Sequence, residues 1–585
     1  MTPIQQLMLG VGAKKKTYMD DVFSTYLHVG TGSAKTINNG IDLAGEGGLV
    51  WGKTRSHSHT HILTDTVRGA NKALWSNDSG AEHTYSLNNT ITSFNSNGYS
   101  VGSDPSGSLN YAESGGNKLS SWTFRKAPGF FDVVTWTGNG SARTIAHNLG
   151  SVPGCIMIKR TDTTADWVVY HNSIGTGKKL ALNTTDTQQN TSSWDSTTPT
   201  ATNIHIGAAD VVNINGGTFV AYVFAGGEST AATARSVGFN GVNSWLSIAD
   251  HADFDVGTNW TAECWFKADG FAGLGYNGIM GQWPGTTSGN AWVLEYVGTD
   301  LRFYISDGSF KSLGAVPLGQ WHHVAISKEG STTRIFLNGT QVVADYDMGT
   351  FAKDGAFTIG GNIAGGGHFD GNISNVRIVQ GTAVYTSSFR PPTEPLTNIT
   401  NTKLLCCNDS STTGSTVTPG TITSNGGNAA ASTDSPFDDP AGFAFGDAGD
   451  QNVIKCGSYV GNGSATGPEI NLGWEPQWVM IKCSTFADNW FQYDSMRGIV
   501  SGGNTNRLII NGNQSESSTT QRISLTPTGF KVESSNENVN KDGETYIFMC
   551  IRRSDGYVGK PPELGTGVFA MGTGASSSTI PNYTS

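Results

Sequence analysis

The stretch YLHVGTGSAKTI at residues 26–37 returns twice along the chain, as TWTGNGSARTIAHNLG at 135–150 and as SYVGNGSATGPEINLG at 458–473. Each copy is followed by a short apolar stretch that ends in a lysine, and then by a second stretch that a glycine closes. A motif that returns together with its neighbours indicates a repeated structural unit. The chain is therefore predicted to contain three copies of one module.

The stretches that follow each motif align closely. The lysines of the first stretch are Lys53, Lys159 and Lys482. The second stretches read HILTDTVRG, WVVYHNSIG and WFQYDSMRG, so that Asp65, His171 and Asp494 occupy equivalent positions. The stretches that close the repeats, SSWTFRK, TFVAYVFAG and TYIFMCIRR, alternate large apolar residues with smaller or polar ones, a period of two that is typical of half-buried strands. Each module is therefore predicted to be a β-sandwich or a small barrel.

The composition agrees with a β-rich protein. The 585 residues include 77 glycines and 19 prolines, and only 14% of the residues are charged, against about 25% in ordinary globular domains. Such a chain favours turns and strands, because the outer faces of amphipathic helices are normally filled with Lys and Glu. The 15 tryptophans indicate buried cores and exclude a disordered chain. The length predicts about three to five domains.

Charge and hydropathy exclude two classes of partner. The net charge is −11 and no long basic run is present, so the electrostatic footprint that binds a phosphate backbone is missing. No stretch approaches the ~18 apolar residues of a membrane span. At the N-terminus the apolar residues precede the lysines at 14–16, which is the reverse of a secretory signal. We expect no nucleic acid, no membrane insertion and no signal peptide.

The cysteines indicate a reducing compartment during folding. Seven cysteines lie scattered along the chain, with no CxxC pair and no histidine at zinc-finger spacing. Such a set is interpreted as buried free thiols in a protein that folds in a cytoplasm. A redox-active pair at Cys406 and Cys407 is the less favoured alternative.

A different unit separates the second and third copies, at residues 235–408. It begins with VGFNGVNSWLSI, continues with WTAECWFKAD, and contains the hairpin WHHVAISKEGSTTRIFLNG, in which Asn338 and Gly339 form a strong two-residue turn signal. It closes with FTIGGNIAGGGHFDGNISNVRI and TAVYTSSFRPP. This succession resembles the laminin-G-like, concanavalin-A-like jelly roll. The predicted fold is all-β and multi-domain, with three repeated β-sandwich-like modules and one such jelly roll.

The jelly-roll resemblance also implies a class of ligand. Members of that fold family often bind glycans, some of them with calcium held by Asp and Asn oxygens. Asp370 lies at the position where the family carries Asp. Capping of a turn is the favoured role for Asp370, and calcium ligation is the alternative. No other cofactor is expected.

The whole arrangement, from DDVFSTYLHVGTGSAKTINNGIDLAGEGGLVW onward, resembles tail-fibre and other virion proteins of cyanophage-like tailed phages from marine bacteria. The resemblance implies a virion component, in the tail, that is assembled in the host cytoplasm. Its N-terminal segment is expected to dock onto other tail proteins, and its jelly roll to reach host surface polysaccharide. Symmetry predicts a homo-oligomer, with a trimer as the leading expectation.

These observations divide the chain into seven segments. In order, the prediction is a docking arm at 1–21, module 1 at 22–128, module 2 at 129–230, the jelly roll at 231–408, a Gly/Ser/Thr/Asp-rich linker at 409–450, module 3 at 451–555, and an extended tail at 556–585. The tail is expected to run over a neighbouring surface.

A histidine cluster is the other metal candidate. SHSHTH places His57, His59 and His61 on one face of an extended segment, so that a trimer would gather several imidazoles around an axial metal. The aligned copies lack these histidines, and a solvated or interface face is therefore the favoured interpretation. His322 and His323 are interpreted as strand residues of the jelly roll.

The catalytic motifs are weak. GGLVWGKT at 47–54 matches the phosphate-loop pattern, yet strand-like residues follow it where a phosphate loop needs a helix. Neither HExxH nor GxSxG is present. We therefore expect no enzymatic activity and a role in host attachment at the tail fibre or tail tip. The alternatives are a head decoration or tail-wall protein without a ligand and, less favoured, a polysaccharide depolymerase.

Overall fold

The computed structural model describes residues 16–561, apart from 87–88, 104–108, 113–115, 228–235, 271–274, 283–290, 306–308, 351–354, 362–366, 393, 438–442, 501 and 519. The predicted all-β, multi-domain fold is confirmed. Helix in the described part of the chain is limited to single α-helical turns and 3-10 turns. They are α1 Met19–Val22, α2 Asp210–Asn213 and α3 Glu537–Asn540, with 3-10 turns at Asn172–Ile174 and Ala252–Phe254.

The three predicted repeats are present as three sets of strands. The first set is β1 Phe23–Val29, β2 Lys35–Asn38, β3 Gly48–Thr54, β4 Ile62–Asp65, β5 Lys72–Ala73, β6 His83–Thr84, β7 Ile91–Asn95, β8 Gly98–Val101 and β9 Lys118–Arg125. The second is β10 Phe131–Thr137, β11 Arg143–Ala146, β12 Pro153–Arg160, β13 Val168–His171, β14 Lys178–Lys179, β15 Gln189–Asn190, β16 Asn203–Ile206 and β17 Thr218–Ala225. The third, after the jelly roll, is β34 Ile454–Val460, β35 Glu469–Asn471, β36 Pro476–Cys483, β37 Trp490–Asp494, β38 Leu508–Ile509, β39 Ile523–Thr526, β40 Gly529–Val532 and β41 Thr545–Arg552.

The repeats share one topology. In each repeat the last strand pairs with the first strand and with the lysine-bearing strand, giving the antiparallel orders β1-β9-β3-β4, β10-β17-β12-β13 and β34-β41-β36-β37-β38. The strand that follows each glycine motif belongs to a second, smaller sheet, namely β2-β8-β7, β11-β16 or β35-β40-β39. The period-two pattern therefore predicted the strands correctly, and the resulting module has two sheets.

The repeats are not independently folded domains, because three equivalent hydrogen bonds join them in a closed cycle. In each bond the first side chain of the second aligned stretch donates to a backbone carbonyl of another repeat. The bonds run from His61 Nε2 to Ile509 O, from Trp167 Nε1 to Trp75 O, and from Trp490 Nε1 to Ala181 O, each at 2.9 Å. The main apolar core accordingly contains buried residues of all three repeats. This pattern is that of approximate threefold symmetry within one chain, which we call the repeat ring.

A buried asparagine holds the glycine motif in every repeat. In the third repeat the Asn540 side chain accepts a hydrogen bond from the Asn462 N–H at 2.8 Å and donates to the Ser464 carbonyl at 2.7 Å, while its backbone carbonyl accepts from the Gly463 N–H. Asn110 and Asn213 make the same set of bonds in the other repeats. Gly461 is required here, since an added Cβ would lie 2.2 Å from a backbone oxygen of Lys541.

The jelly roll consists of two stacked sheets. Its strands are β18 Ser236–Asn240, β19 Trp245–Ile248, β20 Asn259–Gly270, β21 Asn277–Gln282, β22 Trp292–Val297, β23 Asp300–Ile305, β24 Phe310–Ala315, β25 His322–Glu329, β26 Thr332–Leu337, β27 Thr340–Tyr346, β28 Phe357–Ile359, β29 Asp370–Gln380, β30 Thr402–Cys406, β31 Ser415–Val417, β32 Ile422–Asn425 and β33 Ala430–Ser432. One sheet has the order β24-β23-β22-β21-β28-β19-β32, and the nine-stranded sheet contains the others. A single apolar core lies between them.

The predicted linker at 409–450 needs a correction. Three of its segments are strands of the jelly roll: β32 pairs with β19, β33 pairs with β18, and β31 pairs with β30. These short strands are rich in Ser, Thr and Asn, and half or more of their side chains face solvent, so composition alone suggested a linker. The jelly roll therefore extends to Ser432.

Both ends of the described chain pack on the repeat ring. Met19 and Val22 of α1 lie in the ring core, and the Met19 N–H donates to the Val558 carbonyl at 2.8 Å. Residues 16–21 of the predicted docking arm and 556–561 of the predicted tail thus belong to the ring. The remainder of those two segments, 1–15 and 562–585, lies outside the described residues.

Candidate functional site

The histidine cluster does not form the predicted single face. Strand β3 ends at Thr54 and β4 begins at Ile62, so the segment between them is not an extended strand. His61 is fully buried, accepts a hydrogen bond from Trp51 Nε1 at 3.0 Å, and uses its other ring nitrogen in the cycle of the repeat ring. His57 lies against Ser56, 2.9 Å away, and His59 packs on Tyr111. His61 therefore has a structural role, and its burial lowers the pKa of its imidazole well below the ordinary value.

Asp370 lies in a strand and not in a turn. It is the first residue of β29 and pairs with Asn240 on one side and with Gly270 on the other. Within the described ranges, no group of three or more His, Cys, Asp or Glu side chains is placed to hold a metal ion. Calcium also takes Asn and backbone oxygens, and ligation of calcium by Asp370 therefore stays a prediction.

The phosphate-loop match is a buried strand. Gly48–Thr54 is β3, and all of its residues are buried. Lys53 Nζ donates to the carbonyls of Thr54 at 2.8 Å and Asn513 at 3.3 Å, so the lysine joins the first repeat to the third. Burial lowers the pKa of Lys53 to about 7. This lysine is enclosed in the ring and does not face a nucleotide site.

A charged network on the nine-stranded sheet escaped the sequence analysis. Glu263 accepts hydrogen bonds from Arg377 at 2.6 Å, His323 at 3.1 Å and Tyr385 at 2.8 Å, and all but the tyrosine are buried. Burial opposes ionisation of Glu263, yet its interactions with His323 and Arg377 lower the pKa of its carboxyl. The network satisfies its own charges and anchors the segment that carries Tyr385 over the sheet, so its role is structural. His322 and His323 are strand residues, as predicted.

The outer face of the seven-stranded sheet carries a group that is not satisfied in this way. Trp292, Leu294 and Tyr296 of β22 point into the core, so the alternate residue Glu295 points outward. Arg302 on β23 is its cross-strand neighbour, and Tyr304 on β23 pairs with Phe310 on the edge strand β24. We call Glu295, Arg302, Tyr304 and Phe310 the outer-face patch.

The patch combines an aromatic platform with a buried acid. Phe310 is 47% exposed, and the Arg302 guanidinium lies 4.5 Å from the centre of its ring. Glu295 is only 5% exposed, and no hydrogen bond reaches its carboxyl from the described residues. Burial raises the pKa of Glu295 to about 7, an effect that the charge of Arg302 partly offsets. A largely buried acid with a raised pKa, next to an arginine that covers an exposed aromatic ring, marks a candidate binding site.

Arg302 is fixed in place by the neighbouring acid. Its Nε donates to Asp300 at 2.7 Å, and Ser312 donates to the same carboxylate at 2.6 Å. Burial of Asp300 favours its neutral form, but the hydrogen bonds from Ser312 and Arg302 prevail and lower its pKa. At neutral pH the patch therefore offers a fixed cation, a partly protonated acid and an exposed aromatic ring. These groups can stack on a sugar ring and exchange hydrogen bonds with its hydroxyls.

The fold and the patch define a class of protein, a ring of three β repeats with a jelly roll inserted between the second and third. Two family models match the chain, and their matches overlap at 356–384, within the jelly roll. Residues 240–384 match the concanavalin A-like lectin/glucanases superfamily. Residues 19–234 and 356–554 match the family described as a domain of unknown function, DUF7483. These two segments make up most of the chain, and the protein belongs to this DUF7483 family.

Solved structures with related folds are distant. Domain 4 of AbnA, a GH43 extracellular arabinanase from Geobacillus stearothermophilus, in complex with arabinotriose, aligns with 26% of this chain and 79% of its own at 17% identity and a TM-score of 0.20. The LG1-3 region of the laminin alpha2 chain aligns with 61% of this chain and 95% of its own at 10% identity, with a TM-score of 0.21. Mouse laminin alpha1 domains LG4-5 align with 66% and 90% at 9% identity, also with a TM-score of 0.21.

No curated protein matches the chain. In the part of the chain that the structure describes, no helix has the length and apolar character needed to cross a membrane.

Proposed function

We propose that the jelly roll binds a surface polysaccharide through the outer-face patch. The observation that carries this proposal is the exposed ring of Phe310 under the Arg302 guanidinium, with the largely buried Glu295 as the cross-strand neighbour of that arginine. A sugar ring stacked on Phe310 presents hydroxyls to the Glu295 carboxyl and the Arg302 guanidinium. Such a contact adds hydrogen bonds at the edge of the stacked ring, which orient the sugar on the patch.

The proposal is tested by binding of the full chain to a glycan array that carries bacterial surface polysaccharides. We expect Phe310→Ala to weaken binding to the preferred glycan by about tenfold or more, since loss of a stacking ring costs ~1.4 kcal/mol or more. Val342→Ala is the matched control, because Val342 is also exposed, at 37%, on the edge strand β27 of the other sheet. Equal affinities for these two variants would contradict the proposed site.

The acid provides a second readout. If the protonated Glu295 donates to the sugar, binding by the native chain weakens as the pH rises through about 7. Glu295→Gln keeps a donor of similar shape, so this variant should bind equally well on both sides of that pH. A native pH profile that the Gln variant reproduces would show that Glu295 takes no part in binding.

We further propose that this binding is neither catalytic nor metal-dependent. Asp300, the second carboxylate near the patch, is occupied by Arg302 and Ser312, which favours a fixed binding surface over an acid and base pair. Reducing ends released from a bound polysaccharide would contradict the first part of the proposal. Loss of glycan binding after treatment with a calcium chelator would contradict the second.

We also propose that the protein is a structural component of a tailed phage particle, at the tail fibre or tail tip, where glycan binding serves host attachment. The support is the resemblance of the sequence to virion proteins, together with an architecture that consists of packed β modules. Immunogold labelling of intact particles tests the location. Label on the head or along the tail wall would favour the alternative of a decoration or wall protein without a ligand.

The predicted homotrimer and the docking to other tail proteins through the N-terminal arm also stand as proposals. The repeat ring supplies a threefold arrangement from one chain, so a second and third chain are not needed to complete its core. The molar mass in solution, measured by light scattering, separates a monomer from a trimer.

A further inference from the structure

Two arginines of the third repeat contact the same short segment, at 534–538, which leads into α3. Arg522, which precedes β39, donates from Nη1 to Ser534 Oγ at 3.1 Å. Arg507, which precedes β38, donates from Nη1 to Asn538 Oδ1 at 2.8 Å. Burial lowers the pKa of Arg522, and the charge of Arg507 lowers it further, so the two cations are close enough to repel each other. Among the described residues, neither arginine forms an ion pair with a carboxylate.

A buried tyrosine lies beside the two guanidinium groups. Tyr493 follows Phe491 by two positions on β37, so both side chains lie on one face of the strand, and the Arg507 guanidinium is 5.2 Å from the centre of the Phe491 ring. Burial raises the pKa of Tyr493 to about 12, an effect that the charges of Arg507 and Arg522 oppose. All three polar groups are therefore within electrostatic reach of one another.

Two hydrogen-bond donors of this group have no partner. Tyr493 is fully buried and Arg522 is 8% exposed, yet neither the Tyr493 hydroxyl nor the Arg522 Nε has a hydrogen-bonding partner in the part of the chain that the structure describes. Such unpaired buried donors are uncommon in folded proteins and call for an acceptor from outside the chain. We call Tyr493, Arg507 and Arg522 the arginine site.

The nearest acid does not neutralise the arginine site. Asp488 accepts a hydrogen bond from Asn538 Nδ2 at 2.8 Å, while Oδ1 of the same amide accepts from Arg507, so the asparagine lies between the acid and the cation. Glu533 is paired with Lys531 at 3.6 Å. Two arginines beside one acid leave a net positive charge, which attracts an anion.

The arginine site occurs only in the third repeat. Alignment of the repeats places Ala73 and Lys179 at the position of Arg507, and Thr64 of the first repeat at the position of Tyr493. The other two repeats form the same pair of sheets without these side chains. The fold of a repeat therefore does not need the site, which favours a role in binding.

We infer that the arginine site binds a phosphate or sulfate group. Guanidinium groups recognise oxyanions through paired N–H donors, and a tetrahedral anion offers four oxygens and up to two negative charges to two arginines and a hydroxyl. The bound anion also supplies the acceptors that the Tyr493 hydroxyl and the Arg522 Nε lack in the free protein. This site lies in the repeat ring and is independent of the glycan site that we propose on the jelly roll.

The test is isothermal titration calorimetry of the full chain with inorganic phosphate and with inorganic sulfate, with chloride holding the ionic strength constant. We expect Tyr493→Phe to weaken binding by about tenfold or more, because one hydrogen bond to a charged group is lost. Tyr170→Phe, at the equivalent position of the second repeat, is the matched control and should keep the native affinity.

A second pair of variants tests the cation. Arg522→Gln should abolish binding. Arg553→Gln makes the same change in net charge at a side chain that is 59% exposed in its pair with Glu475, and it should bind as the native chain does. Glycerol phosphate, titrated in the same way, distinguishes a site for the free ion from one that also accepts a phosphate group on a larger molecule, and binding of either supports the site.

Thermal unfolding separates a binding role from a structural one. The Tyr493 hydroxyl has no partner in the free protein, so Tyr493→Phe should not lower the unfolding midpoint without phosphate. Phosphate should raise the midpoint of the native chain more than that of this variant. A lower midpoint for Tyr493→Phe with unchanged phosphate affinity would overturn the site, as would the absence of phosphate and sulfate binding by the native chain. Neither result affects glycan binding, which Phe310→Ala tests separately.

Discussion

Trp122 of the first repeat donates its indole N–H to the carboxylate of Asp494 in the third repeat, over 3.1 Å. Both side chains are fully buried. Asp494 also binds Arg497, whose guanidinium lies 5.3 Å from the centre of the Trp122 ring. The first and last repeats of the chain are thus joined at the centre of the ring, although 372 positions separate the two residues.

We call each interface between two neighbouring repeats a seam. The other two seams show why the residue at the position of Asp494 differs between the repeats. Tyr222 of the second repeat donates to Asp65 of the first at 3.0 Å, and Asp65 binds Arg68 as Asp494 binds Arg497. In the third seam the residue equivalent to Tyr222 is Met549, which has no N–H or O–H to donate. There His171 takes the place of the aspartate and contacts the Phe548 carbonyl at 3.0 Å. The buried charge pair occurs only where the neighbouring repeat supplies a donor.

Asp494→Ala should therefore destabilise the ring strongly. It leaves the Arg497 guanidinium without its main partner and the Trp122 N–H without an acceptor, in a site without water access. Removing one member of a buried ion pair costs about 3–5 kcal/mol, and we expect a loss of this size in guanidinium unfolding followed by tryptophan fluorescence. Glu329→Ala is the control, because Glu329 is 54% exposed in its pair with Arg334 and should cost less than about 1 kcal/mol. Similar losses for the two variants would contradict this assignment.

The third seam, where His171 contacts Phe548, allows a test of whether an added arginine compensates for a buried carboxylate. His171→Asp places a carboxylate in a buried site where the Ser173 N–H can donate to it but no cation is present, so we expect a loss of about 3 kcal/mol or more in the free energy of unfolding. Adding Ile174→Arg supplies the guanidinium that Arg68 and Arg497 supply at the equivalent positions. The double variant should recover at least about 1 kcal/mol relative to the sum of the single changes. Ser173→Asp, on the adjacent exposed residue, is the control and should have little effect.

The sequence predicts the strands of the ring but not its closure. The aligned stretches located Asp65, His171 and Asp494 at equivalent positions because strand patterns are local properties of the chain. The partners Tyr222 and Trp122 lie in another repeat, and nothing in a local pattern specifies which repeat will be adjacent. The replacement of Asp by His at 171 is visible in the sequence, but its reason, Met549, is visible only after folding.

The candidate site was even less accessible to sequence analysis. The strand WVLEYV at 292–297 contains one acid among apolar residues, and this is the signal that could have drawn attention to Glu295. Alternation shows that it points outward, but its burial depends on the surrounding structure. The histidines at 57, 59 and 61, in contrast, were conspicuous in the sequence, since an extended segment would have aligned them on one face. The strand ends at Thr54, however, and His61 is buried.

The asparagines that hold the glycine motifs provide a further test. In Asn540→Ala the N–H of Asn462 and the carbonyls of Ser464 and Ser534 lose their partner. Asn462 and Ser464 are exposed, so water can replace the lost partner, and each hydrogen bond then contributes about 0.5–1.5 kcal/mol net. For the three bonds we expect a total loss of about 2–4 kcal/mol by chemical denaturation. Asn110→Ala and Asn213→Ala should behave alike, because they make the same bonds. Asn215→Ala, at an exposed position beside the second of these loops, is the control, and an equal loss there would argue against the special role of the three asparagines.

Glu295 should make the stability of the jelly roll depend on pH in a predictable direction. Burial raises the pKa of Glu295 from its ordinary 4.5 to about 7. Between these values the folded state keeps a proton that the unfolded state has released, so the free energy of unfolding falls as the pH rises, and the full cost is present above about pH 7. Glu295→Gln cannot ionise and should be as stable as the native chain near pH 4, but more stable by up to about 3 kcal/mol near pH 8. Guanidinium titrations of both proteins across this range measure the difference, with Glu329→Gln as the surface control, for which we expect one constant difference. A difference for Glu295→Gln that stays constant with pH would show that the Glu295 carboxyl is solvated in the folded protein, and would remove the physical basis for a sugar contact at this acid.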